Sequence, residues 1–413
     1  MRVILLAVLL SLGISTAGAI DLRQSPDYRS AVYSFHETFP DTLRQDTLNY
    51  ATVRHFEQLY PDTLWTGWLE RGLTNEDGSL SWRRSRDLMS LLVLYQVTGD
   101  PRHLGRTWRF CRDALAVRDD LVGKADFRGR VRPVWGSTRY GSGRRSSFII
   151  HTALIVEPIL TTLAILEGKL PDYPQPPKDD PIWKEATATV RSEMLAATLA
   201  SLDVFDPQWH EGPGPGEGLY VANFEEESRE DTPEPFNRQN LMAWDHYLAY
   251  LLTGDELRRE RATKLATFFR NRLEHTEADC YLWEYEPVRW EHRKAEPMEP
   301  VSSCDDISHG WHALDPVVKL ARVGCVFDPQ DLGRFARTLT RSIYQGDGVF
   351  FGKLGCSPVF NKVLLDALPG WLCVAEGDPQ VLPLIRSFMY KHVPHPQALH
   401  LAYLIRLESS GGE

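Results

Sequence analysis

Residues 301–324, VSSCDDISHGWHALDPVVKLARVG, bring two adjacent carboxylates, two histidines and a tryptophan into one loop-to-helix junction, the densest grouping of reactive side chains in the chain. Ser302, Asp305, Asp306 and Ser308 favour a helix start, and Leu314, Val317, Val318 and Leu320 follow at near-helical spacing. That spacing sets His309 and His312 one turn apart near the positive end of the helix. Asp306 stands three residues before His309, where its carboxylate can cap the helix or fix the imidazole tautomer, so that His309 works as a base. Asp305 and Asp306 together are a weak signal for a shared acid/base pair, because adjacent carboxylates need not face the same way. The competing reading is a polar cap whose histidines are satisfied by neighbours. Asp305, Asp306 and His309 also offer ligands to a divalent cation, but their spacing matches no strong metal motif, so neither a metal nor another cofactor is expected.

Two other junctions carry chemistry. Residues 123–145, GKADFRGRVRPVWGSTRYGSGRR, are basic and rich in glycine, and set Arg132, Arg139, Arg144 and Arg145 beside Trp135 and Tyr140. A guanidinium holds a carboxylate through parallel hydrogen bonds, and a flat ring stacks on a sugar face, so Arg139 and Trp135 suit a sugar acid. A solvated basic loop with one aromatic tucked beneath it is the plainer alternative. His151 follows at the start of an apolar helix, either as a satisfied interior histidine or as a substrate contact. Residues 235–247, PFNRQNLMAWDHY, place Asn237, Arg238, Asn240 and His246 at the start of another apolar helix. Asn237 reads as an N-cap or as an amide for a substrate carboxylate, and Asn240 needs partners in a buried first turn. Glu217 lies in WHEGPGPGEGLY, whose glycines let backbone approach a ligand closely.

The elements that must hold these junctions read as helical hairpins. Residues 81–100 form an apolar helix that stops at Thr98-Gly99-Asp100, and Pro101 opens a second helix. The same grammar returns at 240–272 across a second TGD turn, with weaker copies at 314–343 and 364–390, and residues 151–168 and 182–202 supply a further pair. Hairpins unable to bury their apolar faces alone must stack. The predicted fold is all-α, an α/α toroid of stacked hairpins, favoured over an open solenoid because the repeats differ in length and the long loops are not uniform. The loops are rich in aromatics, and LYVANFE and YLWEYEPV alternate enough for short strands.

The first residues, MRVILLAVLLSLGISTAGA, read as a secretory signal cleaved after Ala19, leaving residues 20–413 as one domain, secreted or periplasmic and free of the membrane. A formal charge of −10 argues against a protein built to bind nucleic acid or to coat an anionic membrane. Six scattered cysteines permit bridges without revealing their pairing.

TGD-punctuated hairpins, FNRQN opening one helix, YLWEYEP in a loop and DDISHG opening the next resemble the α/α-toroid, six-hairpin carbohydrate-active proteins. Among these the chain is most similar to alginate-lyase-like polysaccharide lyases and the helical domain of glucuronyl C5-epimerases. The architecture covers most of the chain, and the motif content lies in residues 135–151 and 236–312. The contiguous Asn-His pairing of some alginate lyases is absent. The resemblance implies a cleft for a uronic-acid polysaccharide or oligosaccharide, abstraction of the C5 proton, and then elimination or reprotonation from the opposite face. In that scheme His309 or Tyr140 is the base, Asp306 and Asp305 support it, and Arg139, Trp135, His151, Asn237, Asn240, Trp311 and His312 bind substrate. The alternatives are a glycoside hydrolase using Asp305 or Asp306 with Glu217, and a glycan-binding protein without turnover.

Overall fold

Two devices in the sequence end one helix and start the next. The computed structural model describes residues 51–141, 143–222, 232–287, 304–355, 362–393 and 395–410, all within the unit Asp46–Glu413, so the expected signal at 1–19 lies outside the described residues. The paired helices are α1 (Ser85–Thr98) with α2 (Pro101–Ala116), α3 (Ile149–Leu166) with α4 (Ala188–Asp203), α5 (Phe236–Thr253) with α6 (Glu256–Arg270), and α7 (Ile307–Arg322) with α8 (Pro329–Arg337). A 3-10 segment, Leu368–Gly377, precedes α9 (Val381–His392), and α10 is Ala398–Ser410. In both TGD turns the glycine supplies a left-handed C-cap, Gly99 at φ 65° and Gly254 at φ 72°, which a side chain would strain. The aspartate that follows, Asp100 or Asp255, then accepts from a backbone N–H of the second helix.

Two helix starts differ from expectation. The first is at 81: a π-turn, Leu80–Arg84, precedes α1, because Asn75 Oδ1 holds both the Ser81 N–H and its hydroxyl at 3.1 Å. The second concerns Asn237, which is not an N-cap: α5 starts at Phe236 behind Pro235, whose extended backbone ends the preceding loop without a side-chain cap.

The fold is all-α, with short antiparallel strands confined to loops. β1 (Trp209–Glu211), β2 (Gly218–Ala222) and β3 (Thr232–Pro233) form one sheet, with Trp209 opposite Tyr220. β4 (Glu274–His275) pairs with β5 (Tyr281–Leu282), and Tyr344–Gly346 pairs with Val349–Phe350. The LYVA and YL stretches are thus strands, as their alternation suggested.

α1 packs on α3, α3 on α5, α5 on α7, α7 on the 3-10 segment, that segment on α10, and α10 on α1. The partner helices pack outside: α2 on α1, α4 on α3, α6 on α5 and α8 on the 3-10 segment. α3 is long and apolar enough to span a bilayer, yet every one of its residues is buried inside the protein, as befits a core helix. Each of its buried Leu and Ile side chains contributes about 1.5–3 kcal/mol.

Among the inner helices lies a cluster of buried charge. Asp315 accepts from Tyr403 Oη, from Lys319 Nζ at 2.7 Å and from Arg86 Nη1 at 3.4 Å. Lys319 also reaches Glu157 at 2.5 Å, and Arg86 lies 3.7 Å from the same carboxylate.

Packing against α7 is close at Gly370, where an added Cβ would lie 2.3 Å from Trp311 Cδ2. Gly370→Ala is therefore expected to destabilise the fold by about 1–3 kcal/mol, read from the urea midpoint at constant m-value. An unchanged midpoint would contradict this packing.

Candidate active site

Asp305 and Asp306 are threaded between two backbone segments. Asp305 N donates to Trp283 O at 2.9 Å, Leu354 N donates to Asp305 O at 3.1 Å, and Ile307 N donates to Gly352 O at 3.0 Å. Trp371 Nε1 donates to Ile307 O at 2.9 Å and anchors the first turn of α7. With its backbone fixed, Asp306 uses one oxygen for the helix and one for the histidine. Oδ1 accepts from Ser308 N at 2.8 Å and His309 N at 2.9 Å, while Oδ2 lies 2.7 Å from His309 Nδ1. The carboxylate fixes the proton on Nδ1, and Nε2 carries the lone pair with no hydrogen-bond partner among the described residues. His309 is 39% exposed, so that nitrogen can meet a substrate. Tyr285 packs against the imidazole with ring centroids 4.4 Å apart.

Burial alone would lower the His309 pKa, but the hydrogen bond and charge of Asp306 outweigh it and raise the value. Burial likewise works against the Asp306 carboxylate, and His309 outweighs it, so that pKa falls. Asp305 turns inward instead. Its Oδ2 accepts from Trp283 Nε1 at 3.1 Å and its Oδ1 from Asp306 N at 2.8 Å. Burial, then the neighbouring Asp306 charge, pushes its pKa up to about 7. The two acids therefore face different ways, one holding the exposed histidine and the other holding the loop. The ligand atoms of Asp305, Asp306 and His309 lie within 4.8 Å of one another, but every carboxylate oxygen already faces an N–H or Nδ1.

The other two junctions lie in the same region. Phe236 N donates to Tyr285 O at 3.1 Å, so the YLWEYEP loop ties the start of α5 to the start of α7. Arg238, paired with Glu234 at 2.8 Å, lies within electrostatic range of both His309 and His151. His151 is buried, with Nε2 3.2 Å from Trp82 Nε1 and Nδ1 3.2 Å from Asn75 Nδ2. Burial, then Arg238 and Arg139, lowers its pKa to about 3, so it is neutral. Tyr140 is 49% exposed and packs edge-on to His151 with ring centroids 5.3 Å apart, and the Arg139 guanidinium lies 5.3 Å from the centre of the tyrosine ring. Trp82 also lies 5.7 Å from His312. Arg86 Nη2 donates to His312 Nδ1 at 2.9 Å, which leaves the His312 proton on Nε2. Burial and that guanidinium hold the His312 pKa well below the usual imidazole value. Arg86, His151, Arg238 and His309 all belong to first turns, so α1, α3, α5 and α7 bring the same end to one place.

Other candidates sit differently. Trp135 is buried, with Nε1 donating to Ala114 O at 2.7 Å, and presents no face to a ligand. Trp311 is likewise buried, its ring 3.8 Å from His312. Asn240 Nδ2 donates to Ala313 O at 3.0 Å and ties α5 to α7, while Oδ1 of Asn237 and of Asn240 is buried without a partner. His246 is tied to Tyr220 Oη at 2.6 Å, on the strand side of α5. Glu217 is buried and paired with Arg272 at 3.0 Å; burial would raise its pKa, but Arg272 and Asn271 hold it lower. In the basic loop, Arg132 pairs with Asp126 at 3.5 Å and Arg145 with Asp119 at 2.6 Å. Trp82, Arg86, Asn75 and Tyr285 join the site without having been singled out as its members. The signal available for Arg86 was a charge in the first turn of an otherwise apolar helix.

No family model matches the chain, and no curated protein sequence matches it. In three dimensions it is similar to a crystal structure of D-mannose isomerase, with a TM-score of 0.50 and 11% identity over 91% of this chain and 100% of that one. At that identity the likeness establishes a shared fold.

The raised His309 pKa contributes stability below the ordinary imidazole value and loses it as pH rises through the folded value. The lowered Asp306 pKa contributes above the ordinary carboxylate value and loses it as pH falls. The pair therefore stabilises most between about pH 4 and 6.5. In Asp306→Asn the group that raises the His309 pKa most is gone while burial remains, so the imidazole is expected to titrate at lower pH in 1H–15N spectra. An unmoved titration would contradict the pairing.

Proposed function

We propose that the protein is a carbohydrate-active enzyme on an α/α toroid that abstracts a carbon-bound proton beside a carboxylate or carbonyl group of a sugar, with His309 as base. The observation that carries this reading is the Asp306–His309 pair, whose imidazole is part exposed and whose Nε2 has no hydrogen-bond partner among the described residues. The cycle of inner-helix contacts, with partners packed outside, supports the toroid.

The substrate we favour is a uronic-acid-containing polysaccharide met outside the cytoplasm. A C5 proton next to a carboxylate is weakly acidic, so the site must bind the carboxylate and stabilise the enolate-like charge. Arg139 and Arg238 supply cations for this, the Nε2–H of His312 supplies a neutral donor, and Tyr140 is the second proton-transfer group. Loss of the 4-linked sugar gives a lyase; return of a proton to the opposite face gives a C5-epimerase. A second reading comes from the D-mannose isomerase neighbour, since aldose–ketose isomerisation also begins with proton abstraction beside a carbonyl. The same pair suits a free sugar in that case. A hydrolase using Glu217 is less well supported, because Arg272 holds that carboxylate in its charged form.

Incubation in D2O with a panel of uronate polymers and free aldoses separates these chemistries. An epimerase or isomerase incorporates deuterium at carbon, a lyase gives an unsaturated, ultraviolet-absorbing product, and a hydrolase gives neither. His309→Asn is expected to lower the rate by about 10²–10⁴-fold. Full activity in that variant, or new reducing ends without either signature, would sink the assignment.

A further inference from the structure

The inner helices meet a second time at the end remote from His309. Ten residues along α7, a distance of about 15 Å at 1.5 Å per residue, Lys319 lines a cavity of ≈ 120 Å³ that Gln96, Thr161, Trp244 and Tyr403 also line. One water needs only about 10–15 Å³ on this measure, so the space accommodates a molecule of several heavy atoms. The exposed Pro171 and Asp172 stand at its edge.

Lys319, Asp315, Arg322 and Arg406, which line the cavity, are already matched. Lys319 is paired with Glu157 at 2.5 Å and Asp315 at 2.7 Å, and Glu376 takes Arg322 at 2.5 Å and Arg406 at 3.7 Å. Of the side chains that line the cavity, those with a buried polar atom lacking a partner are neutral: Trp244 Nε1, which only donates, Gln96 Oε1, which only accepts, and Thr161 Oγ1, which does either. Asp245, beside Trp244 but outside the lining, also has both oxygens unpaired, and burial raises its pKa well above the usual carboxylate range. Thr161 is 2% exposed and Trp244 5%, so leaving these groups unpaired costs free energy that an occupant would recover. Met89, Val93 and Val318 provide apolar wall between them.

We infer that this cavity is a second binding site, distinct from the His309 end, for a small neutral polyol. Hydroxyl groups donate to Gln96 Oε1 and accept from Trp244 Nε1–H, Thr161 bonds in either sense, and the C–H faces lie on the apolar wall. A carboxylate fits less well, because it cannot donate to Gln96 and finds no unmatched cation.

The test is saturation-transfer NMR on the full chain with erythritol and xylitol as probes and lactate as the charged control. Saturable binding of a polyol is expected in the native chain and in His309→Asn, with affinity at least tenfold weaker in Thr161→Val and in Gln96→Met, and with no matching signal from lactate. Thr161→Val keeps the side-chain shape; if circular dichroism shows that it does not fold, Gln96→Met carries the comparison. The inference is overturned by the absence of saturable polyol binding, by equal binding in the variants, or by lactate binding as well. Binding lost in His309→Asn but kept in Thr161→Val would place the polyol at the other end, overturning this inference and leaving the proposed reaction intact.

Discussion

The buried pairing of Asp315 with Arg86, Lys319 and Tyr403 is the constraint on which the interior depends. It joins α1, α7 and α10, and through Lys319 and Glu157 it reaches α3. Each buried ion pays a desolvation cost of several kcal/mol, so the cluster persists only while its members meet, and loss of one partner costs about 3–5 kcal/mol. To the close apolar packing between these helices the matched charges add directional contacts that hold only in one register. Arg86 belongs both to this cluster and to the accessible end, where it sets the tautomer of His312. Scaffold and candidate site therefore share a residue, and an error in helix register would appear as a misplaced imidazole.

The accessible end works by a different economy, because Asp306 serves two purposes with two oxygens. One satisfies N–H groups that every helix start leaves open, and the other points the imidazole. This sharing explains why a polar cap and a candidate site, competing readings of DDISH, involve the same atoms. Asp305 illustrates the complementary case. Its carboxyl group is spent on Trp283 and the adjacent backbone, so it braces the loop on which Asp306 depends.

Local signals carried the hairpins. Gly99, Asp100 and Pro101 act within a few residues of themselves, as do Gly254 and Asp255, and each does what its type dictates. Asp306 and His309 were legible for the same reason, being three residues apart. Legibility failed where a partner is remote in the chain. Arg86 meets His312 across 226 residues and Trp82 meets His151 across 69, and no spacing rule reports such pairs. Trp135 and Trp311 show the converse limit. An aromatic in a loop or first turn is equally suited to stacking on a sugar and to filling the core, and residue type does not record which way the ring turns. The pyrrolidine of Pro235, and not the amide of Asn237, marks the boundary of α5, because proline restricts its own backbone more strongly than asparagine attracts a cap.

The common direction of α1, α3, α5 and α7 has an electrostatic consequence. Each helix carries roughly half a positive charge at its N-terminus, and all four such ends lie together with Arg86, Arg139 and Arg238. The remaining surface belongs to a chain of formal charge −10. The helix ends offset part of that negative charge locally, where the carboxylates of Asp306 and Glu234 also stand, each paired with a neighbouring side chain. Charges paired at such short range and partly buried are screened little by salt, so raising ionic strength leaves the Asp306–His309 pairing largely untouched.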